Sequence, residues 1–247
     1  MQILIGCAKV MTGDVPAGMP VGAEPAFQNI ADGLAMHLAG YSPDELQALL
    51  RVNRNISQEN WLRYQNYADR STRVPAVFAY DGMVFRKFSP ESMSEAELKY
   101  ADQHLFIGSF LYGLLRPLDM INPYRLEGGV ELPCTGQRPL FDYWKPILTD
   151  WFISSVKADD GVLVNLASNE FKDIFDWKKV MREVTVVTPE FKVEKDGRLR
   201  TVVIYAKMCR GAMARWIVQN RVADTARLRE FTYDGFHYES DWTFALR

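Results

Sequence analysis

A chain of 247 residues with 48% hydrophobic and 24% charged side chains can bury its own core without staples, as a soluble globular protein of one or two domains. Its 29 basic against 31 acidic residues give a net charge of −2, which supplies no global attraction to nucleic acid or anionic membrane. Cys7, Cys134 and Cys209 are far apart and odd in number, as in a reducing cytosol rather than a disulfide framework, and His37, His104 and His237 lack metal-ligand spacing.

The opening "MQILIGCAKV" predicts a buried strand over Ile3 to Ala8. Leu4-Ile5-Gly6-Cys7 has the outline of a lipoprotein cleavage box, without the basic segment or the apolar stretch that precedes one. No apolar run approaches the ~20 residues of a membrane span, so a cytoplasmic protein is expected. Thr12 to Pro25, rich in proline and glycine, reads as loop, and Ile30, Leu34 and Leu38 space a helix over Phe27 to Leu38. Ser42-Pro43-Asp44-Glu45 is a capping box, and the helix it opens should stop near Val52, where Asn53-Arg54-Asn55 offers turn chemistry. Ser57 is expected to cap a second helix, so that residues 42–66 form an αα-hairpin.

Residues 74–86, "VPAVFAYDGMVFR", predict strand, turn and strand around Asp81-Gly82. Ser94 and Glu97 form another capping box, opening a helix through His104. "LFIGSFLYGLLRPL" reads as a central strand, "DYWKPILTDWFISSV" as an amphipathic helix with an internal proline, and "GVLVNLAS" and "VTVV" as buried strands. "FKVEKDGRLRTVVIYA" predicts a hairpin turning at Asp196-Gly197, and "FTYDGFHYESDWTFAL" a last hairpin. The alternation predicts one compact α/β domain over 1–247, of mixed α+β character, with a largely internal mixed sheet and flanking helices.

Four places carry candidate chemistry. "YAKMCRGAMARWIVQNR", residues 205–221, holds Lys207, Arg210, Arg215 and Arg221 without a carboxylate. On a helix Lys207, Arg210 and Arg221 fall within about 60° of one another, and Arg215 lies at the edge of that face. Gly211 on the same face leaves room for a ligand, and cations in a first turn after a buried strand suit an anion site; the alternative is a solvated face. "LYGLLRPLDMINPYRLEGG", residues 111–129, embeds Arg116, Asp119, Arg125 and Glu127 among apolar residues, as an anion clamp or as internal ion pairs pinning a loop. "NLASNEF" brings Asn165, Ser168 and Glu170 to a strand end, where Ser168 is at its simplest a helix cap. Lys9 follows the first strand, as a site residue or a solvated lysine. None of these has the spacing of a Walker loop, a dinucleotide fingerprint or a nucleophile elbow.

Taken in order, "AK" at 8–9, "LYGLLRPLDMINPYRLEGG", "NLASNEF" and "YAKMCRGAMARWIVQNR" resemble the YaaA family of bacterial peroxide-stress proteins over nearly the whole chain. The resemblance implies an α/β domain of unusual topology with a positively charged cleft, a helix-hairpin-helix element and binding of duplex DNA. It also implies protection during peroxide stress by limiting damage from unincorporated iron. By position the cleft residues are Lys9, Arg116, Arg125, Lys207, Arg210 and Arg215, with Asn165, Ser168 and Glu170 nearby. The turn of the helix-hairpin-helix falls on Asn53, Arg54 and Asn55. No glycine lies in Val52 to Ile56, although asparagine tolerates left-handed geometry, and residues 42–73 carry a net charge of only +1. Cys7 stands where the family more commonly has proline, as a redox-responsive thiol or a small buried hydrophobe.

Two functions of different class remain. One is sequence-independent binding of duplex or distorted DNA through phosphate contacts. The other is an enzyme acting on a small phosphorylated or carboxylated anion in the same cleft, with Glu170 or Lys9 in proton transfer. No cofactor and no metal site are expected.

Overall fold

The computed structural model describes residues 1–247 apart from Ala17 and Val21. Strand β1 (Gln2–Gly6) begins at once and is buried along Gln2 to Ile5. Three helices follow the loop: α1 (Gln28–Ala39), α2 (Pro43–Leu50) and α3 (Arg54–Gln65). The Ser42–Glu45 capping box forms as expected, and α2 ends on Arg51 in the left-handed region. Asn53, not Ser57, caps α3, its Oδ1 accepting from the Ile56 N–H at 3.0 Å, while Ser57 lies inside the helix and donates to the Arg54 carbonyl. Asn53 lies two residues after left-handed Arg51 and in extended geometry, so α3 can start one turn earlier.

The hairpin expected over 74–86 does not form. Strand β2 (Val74–Pro75) is followed by helices α4 (Ala76–Ala79) and α5 (Met83–Phe88). Phe85 and Phe88, three residues apart, both reach the core, a spacing that a helix meets and a strand does not. Helix α6 (Glu95–His104) opens with the Ser94–Glu97 capping box. The apolar run after it is two strands rather than one, β3 (Leu105–Ser109) and the antiparallel β4 (Gly113–Leu115), joined by a turn over residues 110–112 after which Gly113 opens β4 with φ +72°. Strand β5 (Met120–Ile121) pairs with β2.

Helix α7 (Leu140–Lys157), β6 (Val162–Asn165), α8 (Trp177–Glu183) and β7 (Thr185–Val187) complete the central layer. The central sheet has the order β4-β3-β1-β6-β7. Strands β3, β6 and β7 run parallel with β1 between β3 and β6, in the register Ile3↔Leu105 and Ile3↔Val164. Strands β8 (Glu190–Lys195) and β9 (Arg198–Arg200) form the expected hairpin over Asp196-Gly197. The chain then leaves the sheet, and α9 (Val203–Asn220) starts where the β-branched run had predicted strand. Val203 and Ile204, in the first turn of α9, are exposed. Strands β10 (His237–Ser240) and β11 (Thr243–Leu246) return to β8, giving a second sheet of order β10-β11-β8-β9. One continuous hydrophobic core links both sheets, from Ile3 and Phe106 to Phe191 and Phe244. No helix among the described residues is long and apolar enough to cross a membrane.

Candidate functional site

Parallel strands send their chain ends out on one side, where the side chains of successive connections converge around a crevice. Here the carboxyl ends of β1, β3 and β6 deliver Cys7 to Lys9, Phe110, and Ser168 to Phe171 to the same place. A cleft of about 730 Å³ opens there, with Lys9, Arg125, Glu127 and Glu170 on its floor and Leu49 to Arg51, from the end of α2, on one wall. A second cavity of about 400 Å³ shares Lys9, Glu127 and Glu170 and extends toward α5 and α9, where Lys207 lines it. Three shared residues make the two one continuous depression.

The floor is built by close packing. The Phe171 ring lies across β1 and β3 at Gly6 and Gly108, where any Cβ would strike it, and stacks on Phe110 with ring centroids 5.0 Å apart. Beneath lies a buried chain of hydroxyls: Tyr124 meets Tyr80 at 3.0 Å and Ser109 at 2.7 Å, and Ser109 accepts from the Tyr112 N–H. Burial pushes both tyrosines well above their ordinary range, so they stay protonated and act as fixed dipoles. Burial, then the nearby Glu170 charge, pushes the Cys7 thiol up to about 12. Cys7 is therefore a protonated thiol at neutral pH, without the thiolate that a redox-responsive cysteine needs.

Glu127 organises the charges. It accepts from Lys9 Nζ at 3.2 Å and from Arg125 Nη2 at 2.6 Å, while Arg125 Nη1 donates to the Lys9 carbonyl at 3.1 Å. Tyr64 holds this strap from behind by donating to the Arg125 carbonyl at 2.7 Å. Burial works against the Glu127 carboxylate, but the bonds from Arg125 and Lys9 outweigh it and hold the group below its ordinary range. Arg125 Nε is buried without a hydrogen-bond partner among the described residues. Around the whole depression Lys9, Arg51, Arg125 and Lys207 stand against Asp81, Glu127, Glu131 and Glu170, four charges of each sign. Asp81 is held by Arg86 through paired bonds of 2.6 and 2.9 Å, which leaves Glu131 and Glu170 as the carboxylates without a cation among the described residues.

The remaining candidates have other positions. Arg116 sits at the opposite, amino end of the sheet: its Nη1 donates to Gln2 Oε1 at 2.8 Å and to the Gln103 and Leu105 carbonyls, and its guanidinium lies 3.6 Å from the Phe106 ring centroid. Arg215 closes the end of α5, donating to the Phe88 and Ser89 carbonyls at 2.9 and 2.8 Å. Neither reaches the cleft. Arg221 ends α9 and lies over the Tyr100 ring, roughly 21 Å along the axis from Lys207, so a shared helix face is not a shared site. Gly211 makes room for the Val84 carbonyl of α5, not for a ligand. Lys207 falls in the second turn of α9, because that helix starts early. Arg210, one turn further, is largely buried, with its Nε unpartnered among the described residues and its acidity raised by burial. Asn165 is buried and folds its own turn, accepting from the Ala167 N–H at 3.2 Å, and Ser168 lines the cavity. Asn53, Arg54 and Asn55 start α3 beyond Arg51.

Glu127, read from the sequence as a member of an internal ion pair, takes that role with Arg125 at the cleft. Arg51 and Glu131 line the cleft without having been singled out, because nothing local points to them. Among the described residues no group of three or more His, Cys, Asp or Glu side chains gathers to hold a metal.

A mixed central sheet with helices around it and an open, charge-lined cleft at its carboxyl edge make this a mixed α/β protein. Within that class the chain belongs to the YaaA peroxide stress family: the family model described as peroxide stress protein YaaA matches residues 1–242. A UPF0246 protein of Phocaeicola vulgatus is 48% identical over 241 residues, covering 97% of this chain and 94% of its own. One from Bacteroides fragilis is 49% identical over 239 residues, covering 96% and 93%. A relative from Porphyromonas gingivalis is 40% identical over the full length of both chains.

Proposed function

We propose that this protein binds duplex DNA across the cleft, without sequence preference, and so protects it during peroxide stress. The observation that carries the reading is that both walls end in cations without an ion-pair partner among the described residues. Arg51 and Arg54 stand exposed at the α2–α3 junction, and Lys207 stands on α9. The first N–H groups of α3 lie beside Arg51, so this helical hairpin offers phosphate a charge and a dipole together. Residues 190–230 add ten Lys and Arg against five Asp and Glu, although the whole chain is slightly acidic. Protection in this reading acts at the DNA, the target of iron-driven oxidation, rather than in an iron store.

Phosphate contacts release counterions, so affinity must fall steeply with salt. Titration of a duplex of about thirty base pairs tests this: Lys207→Ala and Arg51→Ala are each expected to reduce the log–log salt slope by about one. No binding at low salt, or affinity unmoved by both substitutions, overturns the reading.

The charge balance of the depression favours a second reading, in which a compact anion is held by Lys207 and Arg125 and Glu170 or Lys9 moves a proton. Stabilisation in a thermal-shift screen by a small phosphate or carboxylate, without affinity for duplex, would select it.

A further inference from the structure

A DNA backbone lying across the walls leaves the inner cavity unexplained. That cavity is far too narrow for a duplex, and at about 400 Å³ it falls in the range of small-ligand sites, roughly 300–1,000 Å³. Its lining is of mixed chemistry. Ala8, Val10 and Met83 are apolar, and Lys9 and Lys207 are cationic. Asp81, Glu127 and Glu170 are carboxylates. Carboxylates repel phosphate, so this surface is wrong for a second backbone contact. It is suited to the ring and exocyclic N–H groups of a nucleobase, for which carboxylates are acceptors. Two of the three are already occupied, Asp81 by Arg86 and Glu127 by Lys9 and Arg125. Glu170 is exposed and has no cation partner among the described residues, so it is the acceptor free to turn to a ligand.

We propose that the inner cavity receives a single nucleotide everted from the duplex. Its base lies against Ala8 and Met83 with an N–H donating to Glu170, and its phosphate lies beside Lys207. The inference rests on the DNA reading above and gives a partner to Glu170, a carboxylate without a cation among the described residues, in a cleft whose walls carry cations. Eversion costs a few kcal/mol, and least at a mismatched base, so mismatched or unpaired sites should be preferred.

A duplex carrying 2-aminopurine, whose emission is quenched by stacking, reads eversion directly, with binding followed by anisotropy in the same sample. Expected is a severalfold rise in emission at saturating protein, larger opposite a mismatch than in a matched pair, and tighter binding of the mismatched duplex. Glu170→Ala, an exposed position that leaves the core untouched, should abolish the rise and the mismatch preference. Binding without any rise overturns the eversion alone and leaves the DNA reading standing. Absence of binding at low salt overturns both. Free deoxynucleoside monophosphates form the second arm: thermal stabilisation by them, with no emission change in duplex, assigns the cavity to a free nucleotide and overturns eversion.

Discussion

At the amino ends of β1 and β3, Arg116 gives its guanidinium to Gln2 and two backbone carbonyls and stacks on Phe106, and two carboxylates close the neighbourhood. Asp119 accepts from the Arg116 N–H and Asp102 from the Leu118 N–H, each at 2.8 Å. At the carboxyl ends, Arg125 and Lys9 meet on Glu127, while Lys207, Arg51, Glu131 and Glu170 face open space. Arginines and carboxylates are used at both ends. At the first they are consumed in holding the fold. At the second they surround a volume that a ligand can enter. A charged residue among apolar ones is thus no guide to function until its partners are known.

Four measurements can break or sharpen that contrast. Arg116→Ala removes several charge-assisted bonds and leaves carbonyls unpaired, so urea melts should show a loss of about 3 kcal/mol with DNA affinity unchanged. Loss of DNA affinity in the folded variant would make the amino end functional.

Asp119 gives the next effect. Burial raises it to about 7, so the folded protein keeps a proton that the unfolded chain releases near a pKa of about 3.9. Its contribution is therefore neutral in acid and increasingly destabilising as pH climbs from about 4 to 7. Asp119→Asn should gain about 2 kcal/mol over wild type at pH 8 and nothing at pH 4. Equal stability of the two proteins at both pH values would contradict the sealed description.

Glu127→Gln should cost about 1.5 kcal/mol, since the pair with Lys9, 67% exposed on its side chain, is weak but the bond to Arg125, only 14% exposed, is charge-assisted. It also removes one negative charge from the cleft, so duplex should bind a few times more tightly at low salt. Weaker binding would mean that the strap positions Arg125 rather than restraining it.

The smallest effect is at Cys7. With its thiol at about 12, iodoacetamide at pH 8 should modify exposed Cys134 at least about tenfold faster. Comparable rates would reopen the redox role.

What could be read from the sequence was whatever a few neighbouring residues settle. The capping boxes at Ser42 and Ser94, the Asp196-Gly197 turn and the strand at the N-terminus depend on local hydrogen bonds and on an apolar run, and all formed. Signals of the same local kind failed where distant packing competed. The "TVVI" run has strand propensity, yet no strand lies beside it after β9, so it became the end of a linker and the start of α9. "VPAVFAYDGMVFR" went helical because Phe85 and Phe88 needed one core.

For the site, the sequence delivered Lys9, Arg125, Ser168, Glu170 and Lys207, residues that follow buried strands or sit on a cationic helix. It could not separate them from Arg116 and Arg215, which have the same composition around them. The direction in which a side chain leaves the sheet depends on strand order and polarity, and these are set by pairings across the whole chain. Lys9 and Glu127 are 118 positions apart, and Arg51 belongs to the cleft only because α2 packs beside it. Covalent neighbours and short-range hydrogen bonds thus determined the elements from the sequence alone. The tertiary structure decided which charges are sealed and which face the cleft, because burial and pairing energies depend on contacts that no local stretch contains.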